Sequence, residues 1–105
     1  MKNLVILIGN AGSAPEIKTF DDGGKIARFN LATSESFTNA TGDKIERTEW
    51  HTIVVKGKLA EVVEKYVEKG KKYYVEGKIT TRKYLNSNSE EQYITEIIAR
   101  EIKFL

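Results

Sequence analysis

The chain has 105 residues but no cysteine, one proline, one histidine and one tryptophan. Without cysteine it can form no disulfide, no thiolate metal site and no cysteine nucleophile. The longest apolar run, Leu4 to Ile8, has five residues, which is too short for a signal-peptide core or a membrane span. We therefore expect one domain over residues 1–105, located in the cytoplasm.

Charge is nearly balanced, because 17 basic residues face 15 acidic ones. The distribution along the chain is uneven: residues 46–84 carry ten basic and six acidic groups, whereas the flanking segments are neutral or acidic. The only tryptophan, Trp50, lies in this basic segment. The charge count alone fits a surface that binds an anionic polymer and a solvated basic face equally well.

Alternation of apolar and polar residues predicts mostly β-structure. From Leu59 to Val67 the apolar spacing becomes helical, and Gly70 is expected to end that helix. Loops are predicted at Asp21–Gly24, Thr38–Lys44 and Asn86–Glu90. Strands are expected at residues 3–9, 16–20, 25–35, 48–56, 71–85 and 92–104. This order predicts an all-β OB-fold, a five-stranded Greek-key barrel with one short helix between its third and fourth main strands.

Catalysis finds little support in the residue types. His51 is the only histidine and lies on the strand face opposite Trp50, so neither a histidine metal cluster nor a Ser/His/Asp set can form. The glycine pairs lack the lysine and serine or threonine of a phosphate-binding loop. We expect no catalytic residue, no metal site and no cofactor.

Aromatic residues on polar strands give a stronger signal. Proteins that bind single strands stack bases on such rings beside a cationic groove. Trp50 and Tyr84 share their predicted faces with lysine, arginine and threonine, and Phe37 lies where a strand enters a polar loop. These three are candidate stacking residues. The rings on apolar stripes are assigned to the core, namely Phe29, Tyr66, Tyr73 and Phe104. Phe20, Tyr74 and Tyr93 stay unassigned.

Four runs cover nearly the whole chain and resemble the bacterial single-stranded DNA-binding protein family. They are NLVILIGNAGSAPEI (3–17), ARFNLATSESF (27–37), the run from Thr48 to Tyr84 with TEWH, GKLAE and YVEGK, and YITEIIA (93–99). The resemblance implies sequence-independent binding and protection of single-stranded DNA in replication, recombination and repair, at the nucleoid. It also implies a homotetramer, or else a dimer, with no membrane contact.

The resemblance also implies roles for individual residues. Phe37, Trp50 and Tyr84 fall at stacking positions, and Lys56 occupies a fourth position that is aromatic in the family. Lys56 should exchange a stacking contact for a phosphate contact. The other DNA-binding positions are all basic: Lys58, Lys69, Lys72, Lys78, Arg82 and Lys83, with Lys2 and Lys44 as weaker candidates. His51 and the first strand, with Leu4, Ile6 and Ile8, are expected at subunit contacts.

The chain stops at Leu105, whereas family members at the replication fork continue into a linker with an acidic tip. Recruitment of repair enzymes through such a tail is therefore not expected. The chain is either a short accessory form or a trimmed DNA-binding core. The alternatives to DNA protection are a primosomal-type OB-fold protein, an OB-fold protein-interaction module and, last, an enzyme.

Overall fold

Six strands and one helix make up most of the computed structural model, which describes residues 1–105. The elements are β1 Val5–Ala11, β2 Glu16–Thr19, β3 Lys25–Thr38, β4 Lys44–Lys56, α1 Lys58–Tyr66, β5 Lys72–Leu85 and β6 Glu91–Phe104. The two predicted strands that flank the Thr38–Lys44 loop are longer than expected and meet at a tight turn.

The strands form one sheet that closes on itself. Their order is β1-β5-β6-β4-β3-β2, and β1 also pairs with β3 through Asn10–Ala32 and Ala11–Leu31. The β4–β6 pair is parallel and the other pairs are antiparallel. The expected five-stranded barrel is confirmed, with β2 added at the edge of β3 and the helix between β4 and β5.

The barrel core comes from alternate residues of the strands. Phe29 and Leu31 of β3 and Ile53 and Val55 of β4 are fully buried, because their cross-strand pairing places them on the inner face. Val63 of α1 is also fully buried against this core. An ion pair from Lys25 Nζ to Glu64 Oε1 (2.8 Å) joins the start of β3 to the helix.

The helix ends earlier than the sequence predicts. Val67 is already extended, and Gly70 instead takes a positive φ of 88° in the following turn. The hydroxyl of Tyr73 accepts a bond from the Glu68 N–H (2.8 Å) and donates to the Tyr66 carbonyl (3.3 Å). The Tyr73 side chain from β5 thus satisfies two backbone groups at the end of α1. In a helix that ends in a glycine cap, backbone hydrogen bonds within the local turn satisfy such groups instead.

The predicted core position is wrong for two aromatic residues. Tyr66 is 57% exposed and Phe104 is 50% exposed, whereas Phe29 and Tyr73 are buried as expected. The Phe104 ring packs edge-on against Tyr73, with centroids 5.5 Å apart, and lies 6.0 Å from Tyr66. These rings cover one end of the barrel, so each has only one packed side.

Two hairpin arms extend the sheet beyond the barrel. The β3–β4 register runs without a break to Thr38–Lys44, and the β5–β6 register runs to Leu85–Glu91. Each arm closes with the same device, since the Oδ1 atoms of Asn39 and Asn86 accept backbone N–H bonds across their turns (2.9–3.1 Å). No helix in the structure is both long enough and apolar enough to cross a bilayer.

Candidate nucleic-acid interface

A continuous row of side chains crosses the outer face of the sheet. Val54 pairs with Arg28 on β3 and with Ile98 on β6, and Ile98 pairs with Lys78 on β5. Cross-strand partners share a face, so these four residues lie side by side. The row borders a groove of about 370 Å³, which we call the outer groove. Its lining residues are Ile26, Arg28, Val54, Lys56, Lys78, Thr80, Arg82, Glu96 and Ile98.

Glu96 lies at the base of the outer groove and is only 3% exposed. Its carboxylate accepts a bond from Arg28 Nη2 (2.7 Å) and another from Arg82 Nε (2.9 Å). The bond to Glu96 also raises the pKa of Arg82 above its ordinary value. Three charges therefore combine to a net +1, and both guanidiniums are held next to each other.

Sequence reasoning selected Arg82 but missed Arg28 and Glu96. The available signal was a single acid in the apolar run YITEIIA, at a position that belongs to a barrel strand. Charged residues are seldom fully buried without a partner, so this acid predicts a nearby cation. The partner could not be named, because Arg28 is 68 residues away along the chain.

Lys56 and Lys78 also line the outer groove, and neither forms an ion pair. Both ammonium groups are thus free to meet an external anion. Lys56 pairs across the sheet with Ile26, so this end of the outer groove has an apolar strip beside a cation.

Trp50 lies on the same outer face of β4 and is 62% exposed. Its partner across β3 is the small Ala32, and its ring rests against Gly12. A Cβ atom at Gly12 would overlap the ring atom Cζ3. Two small residues therefore make room for a large ring whose other side faces solvent.

Tyr84 extends the outer groove along β5. It lies two residues beyond Arg82 on the same face and, with Arg28, Arg82 and Ile94, borders a further cavity of about 240 Å³. The ring therefore lies next to the pair of guanidiniums that Glu96 holds.

Phe37 lies elsewhere. It pairs with Ile45 and is an odd number of residues from Trp50's partner Ala32 in an unbroken register, so it lies on the opposite face of the β3–β4 arm. There the Arg47 guanidinium is 5.8 Å from its ring centroid. The structure does not bring Phe37 together with Trp50 and Tyr84 on one face.

The remaining basic candidates are dispersed. Lys58 begins α1, and Lys83 lies on the face opposite Arg82, near Glu91 (3.5 Å) and the Tyr93 ring. Lys69 is in the turn after α1, and Lys72 borders the aromatic end of the barrel beside Tyr73. None of these four lysines lines the outer groove.

The expected interface residues cluster near one edge. Leu4, Ile6 and Ile8 are exposed, while Val5 and Leu7 between them pack against the core. Ile6 and Ile8 border a cavity with His51, and His51 Nε2 lies 2.9 Å from Thr33 Oγ1. No cluster of three histidine, aspartate or glutamate side chains has the arrangement of a metal centre.

The three unassigned rings each have a polar partner, and for Phe20 it is the Lys18 ammonium. The Tyr74 hydroxyl donates to Glu76 Oε1 (2.8 Å), and this bond raises the pKa of Tyr74. Tyr93 lies under the Lys83 ammonium, 5.9 Å from the ring centroid. Phe20, the third, lies at the far edge of the sheet beside the outer groove.

Comparisons of the sequence and of the fold with known proteins point to the same family. The single-stranded DNA-binding protein of Bacteroides thetaiotaomicron is 51% identical over 105 residues, which are 98% of this chain and 65% of that protein's length. The chain thus spans slightly under two thirds of this relative. A Plasmodium falciparum SSB, solved in complex with ssDNA, superposes with a TM-score of 0.93 and 38% identity, over 100% of this chain and 96% of that one. This likeness confirms the OB-fold. Residues 2–105 also match the Single-strand binding protein family, and the chain belongs to that family.

Proposed function

We propose that this protein binds single-stranded DNA irrespective of sequence and protects it during replication, recombination and repair, without catalysing a reaction. The observation that carries the proposal is the outer groove, where free and positioned cations lie beside the exposed ring of Tyr84, on the face of the sheet that also carries the exposed ring of Trp50. The relatives named above support it, because one is called a single-stranded DNA-binding protein and the other was solved with ssDNA.

In the proposed complex, bases stack on Trp50 and Tyr84, and phosphates approach Lys56, Lys78 and the outward N–H groups of Arg28 and Arg82. Every base has a π-face, so stacking gives affinity without sequence preference, at about 1–3 kcal/mol per base. Phe37 would contact the strand only where the DNA passes to the other face of the β3–β4 arm.

Trp50 fluorescence tests this proposal directly. It is the only tryptophan, so quenching by oligo-dT reports contact at a single ring. Trp50→Ala should weaken binding by about 1–3 kcal/mol, measured by a competition or filter assay. Tyr93→Ala is the matched control, because Tyr93 is an exposed ring on the opposite face, and it should leave binding unchanged. An absence of quenching at low salt would refute the proposal.

We further propose that the chain assembles into a homotetramer through β1 and His51. Exposed Ile6 and Ile8, with Leu4 just before them, lie along β1, whose outer edge is unpaired over most of its length, and such an edge tends to be covered in soluble proteins. Light scattering should give four times the chain mass, and Ile6→Glu with Ile8→Glu should lower it. The control is Leu85→Glu, at the tip of the β5–β6 arm. A monomer mass for the unmodified protein would contradict the assembly.

A further inference from the structure

The outer groove does not end at β3 but continues across β2. Glu16 pairs with Arg28, and Lys18 pairs with Ile26, so these β2 residues lie on the groove face. Beyond them a cavity of about 420 Å³ shares Arg28, Arg82 and Ile26 with the outer groove. Its lining residues are Glu16, Ile17, Lys18, Phe20, Ile26, Arg28 and Arg82.

Phe20 provides an exposed ring at this end. It is 40% exposed and has no aromatic neighbour. Its backbone is held on both sides of the turn, because its N–H donates to the Gly24 carbonyl (2.8 Å) and its carbonyl accepts from the Gly23 N–H (2.9 Å). The Lys18 ammonium lies over the ring, 5.5 Å from its centroid.

The chemistry of the cavity suits one nucleotide. Phe20 supplies a flat apolar surface, the half-buried Ile26 lines the same cavity, and the cations Lys18, Arg28 and Arg82 line it as well. A base has the flat shape and its phosphate has the charge that this combination would bind. Phosphate contact is available from Lys18, which forms no ion pair.

We propose that Phe20, Lys18 and Ile26 form an additional nucleotide subsite, in which a base of the bound strand stacks on Phe20. The proposal rests on the proposed function of single-stranded DNA binding and extends the path of the strand from Tyr84, past Arg82 and Arg28, to β2. Ile26 lies between Lys18 and Lys56 across the sheet. The Lys18 ammonium lies over the Phe20 ring, so this ring lies at the end of the row opposite Lys56.

Two sets of variants test the subsite. Phe20→Ala should raise the Kd for oligo-dT about 5- to 150-fold, while Trp50 is still quenched at saturation. Phe20→Tyr should restore most of the affinity, because its ring also stacks. In the double variant Trp50→Phe with Phe20→Trp, the only tryptophan reports on the subsite, and oligo-dT should quench it.

The outcomes separate this proposal from the proposed function. An unchanged Kd for Phe20→Ala, with Trp50 quenching intact, would refute the subsite and leave single-strand binding standing. If DNA quenches neither Trp50 nor the tryptophan at position 20, single-strand binding itself fails. If Phe20→Ala does not fold, the double variant decides, since quenching supports the subsite and its absence overturns it.

Discussion

At the scale of single residues, Gly12 determines where the Trp50 ring can lie. The ring occupies the space that a Cβ atom at Gly12 would need, and Gly12 itself has no positive φ. An alanine would therefore fit the backbone but displace the ring.

We expect Gly12→Ala to weaken oligo-dT binding about tenfold and to shift Trp50 emission, because the ring loses its position for stacking. The measurement is a fluorescence titration of both proteins. Trp50→Ala provides the control background, in which Gly12→Ala should change binding little. Equal losses in both backgrounds would contradict the link between glycine and ring.

Glu96 allows a second test at this scale. Glu96→Gln keeps the shape but removes the charge that two guanidiniums share, so it should reduce the free energy of unfolding by about 1–2 kcal/mol. We expect a smaller loss of stability than for a fully buried ion pair, because Arg28 and Arg82 are about half exposed.

Urea denaturation measures the effect of Glu96→Gln. Glu91→Gln is the matched control, since Glu91 and its partner Lys83 are both exposed, and it should change stability by less than about 0.5 kcal/mol. Equal effects for the two variants would show that the burial of Glu96 has no energetic consequence.

Tyr74 gives a pH-dependent test. Its hydrogen bond to Glu76 raises the pKa above the ordinary value of about 10. The folded state holds this proton more tightly than the unfolded state, so the resulting stability is present below pH 10 and is lost as pH rises through the raised pKa. Ultraviolet or NMR titration should show that Glu76→Gln lowers the Tyr74 pKa. A Tyr74 pKa that does not change would exclude Glu76 as the cause.

At the scale of elements, β5 and β6 are bent together at Gly77. The register shifts between Glu76 and Gly77, and a Cβ atom at Gly77 would overlap the Ile98 carbonyl. Only glycine permits this backbone approach, which lets the paired strands pass from the barrel into the arm that carries Arg82 and Tyr84.

Gly77→Ala should therefore reduce the free energy of unfolding by about 3 kcal/mol, at the upper end of overpacking effects. Thermal and urea unfolding measure it. Lys78→Ala, at the exposed neighbouring position, should stay within about 0.5 kcal/mol. If Gly77→Ala is as stable as Lys78→Ala, the close approach of the two strands is not required.

At the scale of the whole molecule, the outer groove joins residues from β3, β4, β5 and β6 into one electrostatic surface. Each phosphate neutralised on a single strand adds about 0.7 to the slope of log K against log salt. Lys56 is an unpaired cation on that surface.

Lys56→Phe should therefore lower the salt slope of oligo-dT binding by about 0.7, while the new ring adds a stacking surface. Titrations over a range of salt concentrations measure this slope. Lys65→Phe, on α1 outside the outer groove, should leave it unchanged. An unchanged slope for Lys56→Phe would mean that Lys56 does not contact a phosphate.

The local pattern of apolar and polar residues predicted the strands and part of the exposed surface. Period-two alternation in β3 and β4 predicted that Phe29 belongs to the core and that Trp50 lies on a polar face, because a strand can bury only alternate residues. The helical spacing after Leu59 predicted α1 within one residue at its start.

Tertiary structure decided what local pattern could not. The end of α1 depends on Tyr73, a residue of another element, and the exposure of Tyr66 and Phe104 depends on their place at the open end of a barrel. Whether Phe37 and Trp50 lie on the same face of the sheet can be decided only once the β3–β4 register is known.

By itself, the sequence determined the element types, the order that gives a closed barrel, and the presence of exposed rings in a basic segment, because these follow from side chains at short spacing. Only the tertiary structure decided that Glu96 joins Arg28 and Arg82, that Gly12 makes room for Trp50, and that Phe20 extends the outer groove. Each of these is a contact between residues far apart in the chain, and such contacts exist only after the strands have paired.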